Sequence, residues 1–259
     1  MLAPERRRLL IDWLTASGSI VAKDAAAQLG TSEDTIRRDL RELAADGLCR
    51  RVYGGAVLVA AATADYTARA SVEPDAKAAV AAEAATLVRP GSTVILDGGT
   101  TTLAVVGALP RDLSCTVVTH SPTIAAALEH HRDIEVLLIG GRLFKHSMVA
   151  CGAAAVEAAA RVSADVFLLG VTGVDADQGL TTGDADEAAM KRALARRAAE
   201  TVVLASREKV GAVSPFAVLG LDDVARIVTD APAGHPTLEA IRTGHPAVEI
   251  AIAHPPRGR

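Results

Sequence analysis

The chain has 259 residues, which is longer than one average domain and favours either one large domain or two unequal ones. Half of the residues are hydrophobic and 22% are charged, a balance that predicts a packed globular fold and excludes a disordered chain. Aromatic residues make up only 2%, so the core must consist of Val, Leu, Ile and Ala, as in helices packed on a parallel sheet. No apolar run reaches the roughly eighteen residues of a membrane helix, and the first residues lack a signal-peptide pattern. We therefore expect a cytoplasmic protein with no membrane partner.

The three cysteines, Cys49, Cys115 and Cys151, lie far apart and match no metal-binding spacing. This spacing predicts neither a disulfide framework nor a metal site. We expect no other cofactor either.

The net charge of −4 says little about partners, because the placement of the charges differs along the chain. Residues 1–60 hold nine basic and eight acidic residues. Their arginines form three clusters: Arg6–Arg8, then Arg37, Arg38 and Arg41, then Arg50 and Arg51. Such clusters either follow a phosphate backbone or are solvated helix faces, and charge alone does not decide between the two.

Helical spacing in the first fifty residues favours DNA binding. Residues 4–16 carry large apolar residues at helical intervals. A second helix begins near Ala22 or Lys23 and ends at Gly30, a residue suited to a left-handed C-terminal position. A third helix, capped by Thr31 or Ser32, follows at once. Its apolar stripe consists of Ile36, Leu40 and Leu43. Two helices joined by a tight turn are typical of a helix-turn-helix.

The stripe assigns roles to the outward face of the third helix. A recognition helix meets base edges mainly through its N-terminal half, so we expect Ser32, Thr35 and Arg38 to contact bases. Arg37 and Arg41 are better placed for phosphates, which fix register without reading sequence.

The segment after this helix predicts a wing. LCRRVYGGAVLV contains two short extended runs around Gly54 and Gly55, which is a hairpin signal. Arg50, Arg51 and Tyr53 would then lie beside the DNA groove. An isolated pair of short helices is usually structural, but the whole series, ending in a basic hairpin, favours a winged helix-turn-helix that binds double-stranded operator DNA.

The same run, TSEDTIRRDLRELAADGLCRRVYGGA, resembles the N-terminal signature of the DeoR family of sugar-metabolism regulators. The family combines a recognition helix bearing T-[IV]-R-R-D-L with a wing bearing R-x-x-G-G-A. Thr35 to Leu40 and Arg51 to Ala56 match these two motifs.

The remainder of the chain predicts an α/β domain. We expect the DNA-binding domain at 1–57, a linker at 58–73 and the larger domain at 74–254. Seven short β-branched runs alternate with helical segments, which indicates βαβ units and a largely parallel, Rossmann-like sheet. The predicted strands are Val94 to Asp97, Cys115 to His120, Ile134 to Gly140, Val166 to Val171, Thr201 to Ser206, Arg226 to Asp230 and Val248 to Ala253.

In such sheets ligands bind at the carboxyl ends of the strands. The first strand ends in LDGGTTT, where Gly98 and Gly99 allow a tight turn and Thr100, Thr101 and Thr102 open a helix. The backbone N–H groups and hydroxyls of this segment would suit a phosphate. A glycine-rich turn with a threonine cap is also common without any ligand. The spacing of a nucleoside-triphosphate loop is absent.

Four further side chains follow later strands or open a later helix. His120 follows the second strand. Glu187 and Lys191 lie four residues apart on one helix face: an ordinary surface pair, unless that face meets the crevice, where Lys191 would bind an anion and Glu187 a hydroxyl. Lys209 follows the fifth strand and is either a solvated lysine or a second phosphate cation.

The DeoR resemblance extends through this domain. LDGGTTT is similar to the family's LD-[SAG]-GTTT, VVTHS to VVTNS, LLIGGRL to LLGG-x-L, GLTTGDADEAAMKRAL to GLTT-x-D-x-x-EA-x-x-K-R-A-M, and ASREKVG to AD-x-SK-x-G. The resemblance implies a fold shared with ribose-5-phosphate isomerase-type enzymes and a phosphorylated sugar as effector. By matching position it implies these ligand-site residues: Asp97, Gly99, Thr100, Thr101, Thr102, Glu187, Lys191 and Lys209. His120 stands where the family usually has Asn, and Ser206 where it usually has Asp.

Three hypotheses follow. The leading one is a regulator, in this family most often a repressor of a carbohydrate-metabolism operon, that is not an enzyme and acts as a homodimer or homotetramer. The second is a sugar-phosphate isomerase with a DNA-binding arm, and the third is an architectural DNA-binding protein whose C-terminal domain is merely structural.

Overall fold

The computed structural model describes residues 1–17, 19–46, 48–52, 54–59, 66, 69 and 72–254. The N-terminal part begins with helix α1 (Ala3–Ser17), strand β1 (Ser19–Val21) and helix α2 (Ala22–Gln28). Helix α3 (Glu33–Ala45) and strands β2 (Cys49–Val52) and β3 (Gly55–Val59) complete it. This succession confirms the predicted winged helix-turn-helix.

The helices of this part pack around a small apolar core. Leu10 and Leu14 of α1 meet Ile36 and Leu40 of α3, and all four side chains are almost fully buried. Helix α3 begins where it does because the Ser32 hydroxyl accepts a hydrogen bond from the Thr35 N–H, which satisfies one of the free donors of the first turn.

Strand β3 connects the two parts of the chain. It pairs antiparallel with β1 and β2, as expected for a wing. It also pairs in parallel with a short strand from the C-terminal part, β13 (Ala212–Val213), with Ala212 opposite Leu58 and Val213 opposite Val59. The sheet of the wing therefore includes a strand that lies more than 150 residues further along the chain.

The C-terminal part is built on a seven-stranded parallel sheet in the order β16-β15-β12-β9-β4-β5-β6. Each predicted strand is present with shifted ends. The bounds are β4 (Thr93–Leu96), β5 (Cys115–Thr119), β6 (Ile134–Leu138), β9 (Ala164–Gly170), β12 (Ala198–Leu204), β15 (Arg226–Thr229) and β16 (Glu249–Ile252).

Helices cover both faces of this sheet, because successive residues of each buried strand point to opposite sides. One face packs on α4 (Pro74–Ala85), α5 (Thr100–Ala108) and α6 (Pro122–Ala127). The other packs on α7 (Ala153–Ala159), α8 (Ala185–Ala195) and α9 (Pro236–Gly244). This is the predicted α/β architecture. Within the described residues, no helix is both long and apolar enough to span a membrane.

Short strands beside the main sheet were not predicted. They are β7 (Arg142–Phe144), β8 (Val149–Cys151), β10 (Gly173–Asp175), β11 (Gly179–Thr182) and β14 (Phe216–Leu219). β7 and β8 form a hairpin, and β10, β11 and β14 form a three-stranded sheet. Both structures follow strand ends of the main sheet and enclose the edge at which the candidate site lies.

Candidate effector and DNA-binding sites

A cavity of about 670 Å³, including the solvent at its mouth, lies at the carboxyl ends of β4 and β9. The loop after β4, the start of α8 and the segment after β12 all contribute to it. Its lining comprises Arg69, Val72, Lys77, Gly98 to Thr102, Ser147, Gly170 to Thr172, Thr182, Glu187, Lys191, Glu208 and Lys209. The structure thus brings eight of the ten predicted effector residues to one cavity. Asp97 and His120 are not among the lining residues and are fully buried.

Gly98 to Thr102, here called the glycine-threonine loop, have a backbone that requires glycine at two positions. A Cβ on Gly98 would lie 2.1 Å from a methyl group of Val149, and Gly99 has φ of 106°, which L-residues rarely adopt. Helix α5 begins at Thr100, immediately after this turn. Backbone N–H groups at the start of a helix have no intrahelical partner, so the loop presents hydrogen-bond donors and a positive dipole end to the cavity.

Asp97 is the centre of a buried polar cluster. Its Oδ1 lies 2.8 Å from Nε2 of His120, and its Oδ2 accepts a hydrogen bond of 2.9 Å from the Gly170 N–H and another from the Lys191 ammonium. The other ring nitrogen of His120 is 2.9 Å from the carbonyl oxygen of Ala150. The Ala150 carbonyl and the Asp97 carboxylate are both acceptors, so each ring nitrogen of His120 takes part in its hydrogen bond as the donor.

Lys191 and Glu187 extend this cluster along α8. The Lys191 ammonium also donates to the Gly170 carbonyl at 2.9 Å and lies 3.8 Å from Glu187. The second oxygen of Glu187 accepts from the Thr182 hydroxyl at 2.5 Å. Both Glu187 and Lys191 are about 95% buried, so the interpretation as an ordinary surface pair is wrong for this helix.

The charges of the cluster stabilise one another. Burial alone would raise the pKa of Asp97, but the Lys191 ammonium and the His120 hydrogen bond outweigh it and lower that pKa from 3.8 to about 2. Burial likewise opposes the charged form of Lys191, yet the carboxylates of Asp97 and Glu187 raise its pKa above the ordinary value. The pair is therefore charged at neutral pH and holds the end of β4 against α8.

Lys209 contacts the glycine-threonine loop directly. Its ammonium donates a hydrogen bond of 3.0 Å to the Thr101 hydroxyl. Burial lowers its pKa from 10.5 to about 8, and the positive charges of Lys77 and Arg69 act in the same direction against the opposing effect of Glu208. Lys209 is thus a cation whose charged form is disfavoured by burial and by the positive charges around it.

Sequence reasoning missed two basic residues that line the cavity, Arg69 and Lys77. The Lys77 ammonium donates to the carbonyl oxygens of Arg69 and Val72, and Arg69 donates from Nη2 to the carbonyl of His146 at 2.6 Å. Burial lowers the pKa of Lys77. These contacts hold Arg69 and Val72 at the cavity. Arg69 lies in the stretch predicted to be a linker, and Lys77 lies near the start of the predicted larger domain, so neither was considered as a ligand contact.

Ser206, one of the two departures from the family pattern, lies just outside the cavity. Its hydroxyl is fully buried and donates a hydrogen bond of 2.6 Å to Oε1 of Glu208, which does line the cavity. Glu208 is a further residue that the sequence reasoning missed.

The predicted DNA-contacting face of α3 is exposed. The side chains of Ser32, Arg37, Arg38 and Arg41 are solvent-exposed and that of Thr35 is half-buried. These side chains differ in their contacts: Arg37 forms an ion pair with Glu33 at 2.6 Å, and Arg41 donates a hydrogen bond to the Arg37 carbonyl. Within the described part of the chain, Arg38 makes no hydrogen bond or ion pair.

Helix α3 is also fixed from behind. Arg6 of α1 donates to both oxygens of the buried Asp39, at 2.5 and 3.2 Å, and this pair locks the two helices together. In the wing, Arg51 is exposed on β2. Tyr53 and the side chain of Arg50 lie outside the described residues, so their predicted role in DNA binding stays a prediction.

A winged helix-turn-helix joined to an α/β domain with a basic cavity at its strand ends defines the class of the protein: a DNA-binding regulator with a ligand-sensing domain. Comparison with known families agrees. The DeoR-like helix-turn-helix domain matches residues 6–62, and the DeoR C terminal sensor domain matches residues 72–231. The chain belongs to the DeoR family.

Curated relatives align with nearly the whole chain. The HTH-type transcriptional regulator GlpR of Haloferax volcanii is 33% identical over 98% of this chain and 100% of its own length. The HTH-type transcriptional repressor GlcR of Bacillus subtilis is 30% identical over 89% of each chain. The glycerol-3-phosphate regulon repressor of Escherichia coli is 27% identical over 96% of this chain and 100% of its own. A solved structure, ribose 5-phosphate isomerase A from Methanocaldococcus jannaschii, aligns with a TM-score of 0.40 and 19% identity over 53% of this chain and 54% of its own.

Proposed function

We propose that the protein represses a carbohydrate-metabolism operon and that a phosphorylated sugar, bound in the C-terminal cavity, changes its affinity for operator DNA. The contact between Lys209 and Thr101 at the start of α5 carries this proposal. It places a cation, a hydroxyl and free backbone N–H groups around one point, and phosphate oxygens are well suited to such a combination of donors.

The rest of the cavity suits the sugar portion of the ligand. Thr100, Thr172 and Thr182 supply hydroxyl groups, and the carboxylates of Glu187 and Glu208 are hydrogen-bond acceptors. Sugar hydroxyls can both donate and accept, so this lining matches a small polyhydroxylated molecule. The name of the Escherichia coli relative, a glycerol-3-phosphate regulon repressor, supports a small phosphorylated effector.

The two sites are connected by a short stretch of backbone. Lys209 lies three residues before Ala212, which pairs with Leu58 of the wing strand β3. Between them the Gly211 N–H donates to the Val174 carbonyl at 2.7 Å. A ligand that moves Lys209 would therefore displace the strand that borders the wing, and coupling energies of about 1–3 kcal/mol are usual for such effects.

The engagement of Asp97 and Glu187 by protein groups favours binding over isomerisation. Asp97 is fully buried, and both of its oxygens are engaged by His120, Gly170 and Lys191. Glu187 is held by Thr182 and Lys191. A general base must reach the proton that it removes, whereas the oxygens of these two carboxylates are already engaged by buried protein groups.

We further propose a homodimer or homotetramer that binds two half-sites. A single recognition helix reads only a few base pairs, and paired helices on a symmetric assembly provide the remaining specificity. Sedimentation of the protein with and without a two-half-site duplex would measure the assembly; a monomer bound to DNA would contradict this part of the proposal.

The central experiment measures release of DNA. An operator is first selected from a random DNA pool by the native protein. Its affinity is then measured by fluorescence anisotropy with inorganic phosphate, glycerol 3-phosphate, glucose 6-phosphate, fructose 1-phosphate, fructose 6-phosphate, ribose 5-phosphate and N-acetylglucosamine 6-phosphate. At least one sugar phosphate should change operator affinity severalfold.

A matched pair of variants locates the site. Lys209→Met should abolish the response and leave DNA binding intact, whereas Lys145→Met, at an exposed lysine that does not line the cavity, should respond as the native protein does. A normal response of Lys209→Met would place the effector elsewhere, and no response of the native protein to any compound would contradict a phosphorylated effector of this class.

A further inference from the structure

Two carboxylates line the otherwise basic cavity, and their hydrogen bonds differ. In Glu187 one oxygen accepts from the Thr182 hydroxyl and the other faces the Lys191 ammonium. In Glu208 only Oε1 is bonded, to the Ser206 hydroxyl at 2.6 Å. Oε2 of Glu208 is buried and accepts no hydrogen bond from the described residues.

A buried carboxylate oxygen without a donor is costly. Most buried polar atoms in proteins have a partner, and an unmet charged acceptor loses its hydration without compensation. A carboxylate only accepts hydrogen bonds, so the group that completes it must carry a donor. The phosphate group of a sugar phosphate dianion cannot fill that position, because its free oxygens are all acceptors and its charge has the same sign.

The sequence around Glu208 shows that this arrangement differs from the family pattern. The pattern AD-x-SK-x-G places a carboxylate at position 206 and a hydroxyl at position 208, and in this chain the order is reversed to Ser206 and Glu208. The two groups are hydrogen-bonded to each other. The carboxylate is thus retained in this segment but projects from the position next to Lys209.

We propose that Glu208 determines effector specificity: its carboxylate accepts a hydrogen bond from a hydroxyl of the effector's carbon skeleton, while Lys209 and the glycine-threonine loop hold the phosphate. This inference rests on the proposed function. Ser206 is a positioning residue, because its hydroxyl fixes Oε1 and leaves Oε2 for the ligand.

The position of Glu208 also explains how the cavity would select a sugar phosphate over inorganic phosphate. The negative charge beside Lys209 repels any phosphate. In a sugar phosphate, a hydrogen bond from a sugar hydroxyl to Glu208 offsets this repulsion. Inorganic phosphate has no carbon skeleton to carry such a hydroxyl. The same carboxylate therefore weakens the binding of inorganic phosphate and favours the binding of a sugar phosphate.

Two substitutions separate these effects. Glu208→Gln removes the charge at nearly constant shape, so affinity for inorganic phosphate should rise severalfold. Glu208→Asp keeps the charge but withdraws the carboxylate by one methylene, so affinity for inorganic phosphate should stay unchanged. In both variants the affinity for the sugar phosphate that released DNA most strongly should fall relative to inorganic phosphate, by about tenfold, since a hydrogen bond to a charged group is lost or weakened.

Isothermal titration of the full-length protein with both compounds gives the selectivity ratio directly, and the melting temperature of each variant checks that it is folded. An unchanged ratio in both variants overturns the inference even if the native protein responds to sugar phosphates. A native protein that binds neither compound overturns the proposed function, and this inference with it. Binding of the sugar phosphate by the native protein, with a ratio that falls in both variants, supports it.

Discussion

Asp97 and Lys191 form a fully buried ion pair although 94 residues separate them in the chain. Asp97 follows β4, the strand next to the central strand β9, and Lys191 lies in the middle of α8. The pair therefore ties the cavity's glycine-threonine loop to the helix opposite it. The ammonium is shared with the Gly170 carbonyl at the end of β9. Three elements that border the cavity are therefore fixed by one side chain.

Removal of one partner of this ion pair should lower the stability of the C-terminal domain. Asp97→Asn leaves the Lys191 ammonium buried without its main counter-charge, and breaking a buried pair typically costs about 3–5 kcal/mol. We expect the free energy of unfolding, measured by urea denaturation, to fall by that amount.

The double variant Asp97→Asn/Lys191→Met is the control for that measurement. It removes the stranded charge and should be at least as stable as Asp97→Asn alone. A single variant as stable as the native protein would show that the pair does not hold these elements together.

Effector binding should weaken as the pH rises through about 8, because the pKa of Lys209 is lowered to about 8. A phosphate dianion stabilises the ammonium form and raises that pKa, so binding near pH 8 should take up protons. Titration calorimetry in buffers of different ionisation enthalpy measures this uptake. Lys209→Arg, whose guanidinium stays charged, should bind without the pH dependence; proton release by the native protein would contradict the assignment.

Arg38 and Arg41 should affect DNA binding in different ways. Arg38 is exposed and uncommitted among the described residues, so Arg38→Ala should lower affinity for the selected operator by roughly 10- to 100-fold and reduce the preference over random DNA. Arg41→Ala should weaken both DNAs equally and reduce the salt dependence. Anisotropy titrations at several salt concentrations distinguish the two, and equal behaviour of both variants would refute the assignment of roles.

The pairing of β13 with the wing should be needed for the response to effector. Val213→Pro removes a backbone N–H from β13, and we expect this variant to bind the sugar phosphate and the operator while the two no longer influence each other. Anisotropy with and without the sugar phosphate measures the coupling.

Val213→Ala keeps the backbone donor and controls for the loss of the buried side chain. It should retain most of the coupling. Full coupling in a folded Val213→Pro variant would mean that the signal travels by another route.

The sequence predicted the elements whose patterns are local. Seven β-branched runs gave all seven strands of the main sheet, and the spacing of Ile36, Leu40 and Leu43 identified the buried side of α3. The glycine-threonine loop was found because its glycines and threonines are adjacent in sequence. Its place in the cavity follows from the parallel sheet, in which all carboxyl ends meet at one edge.

Long-range partners could not be predicted in the same way. Nothing near Asp97 indicates that its counter-charge is Lys191, and the helical spacing indicated only the weaker partner of Lys191, Glu187. Ala212 and Val213 form too short a run to show strand periodicity, so the sequence around them does not indicate that they pair with β3. Glu208 was accessible in principle, since the family pattern has Ser there.

The strand shared between the wing and the C-terminal part limits how the protein can be divided. A cut in the predicted linker separates two stretches of sequence, yet it also deprives the wing of a bordering strand contributed by residues 212–213. A chimera that joins this DNA-binding half to the sensor of a relative would need compatible backbone geometry at that remote strand. The halves of this regulator are consequently less interchangeable than their order along the chain implies.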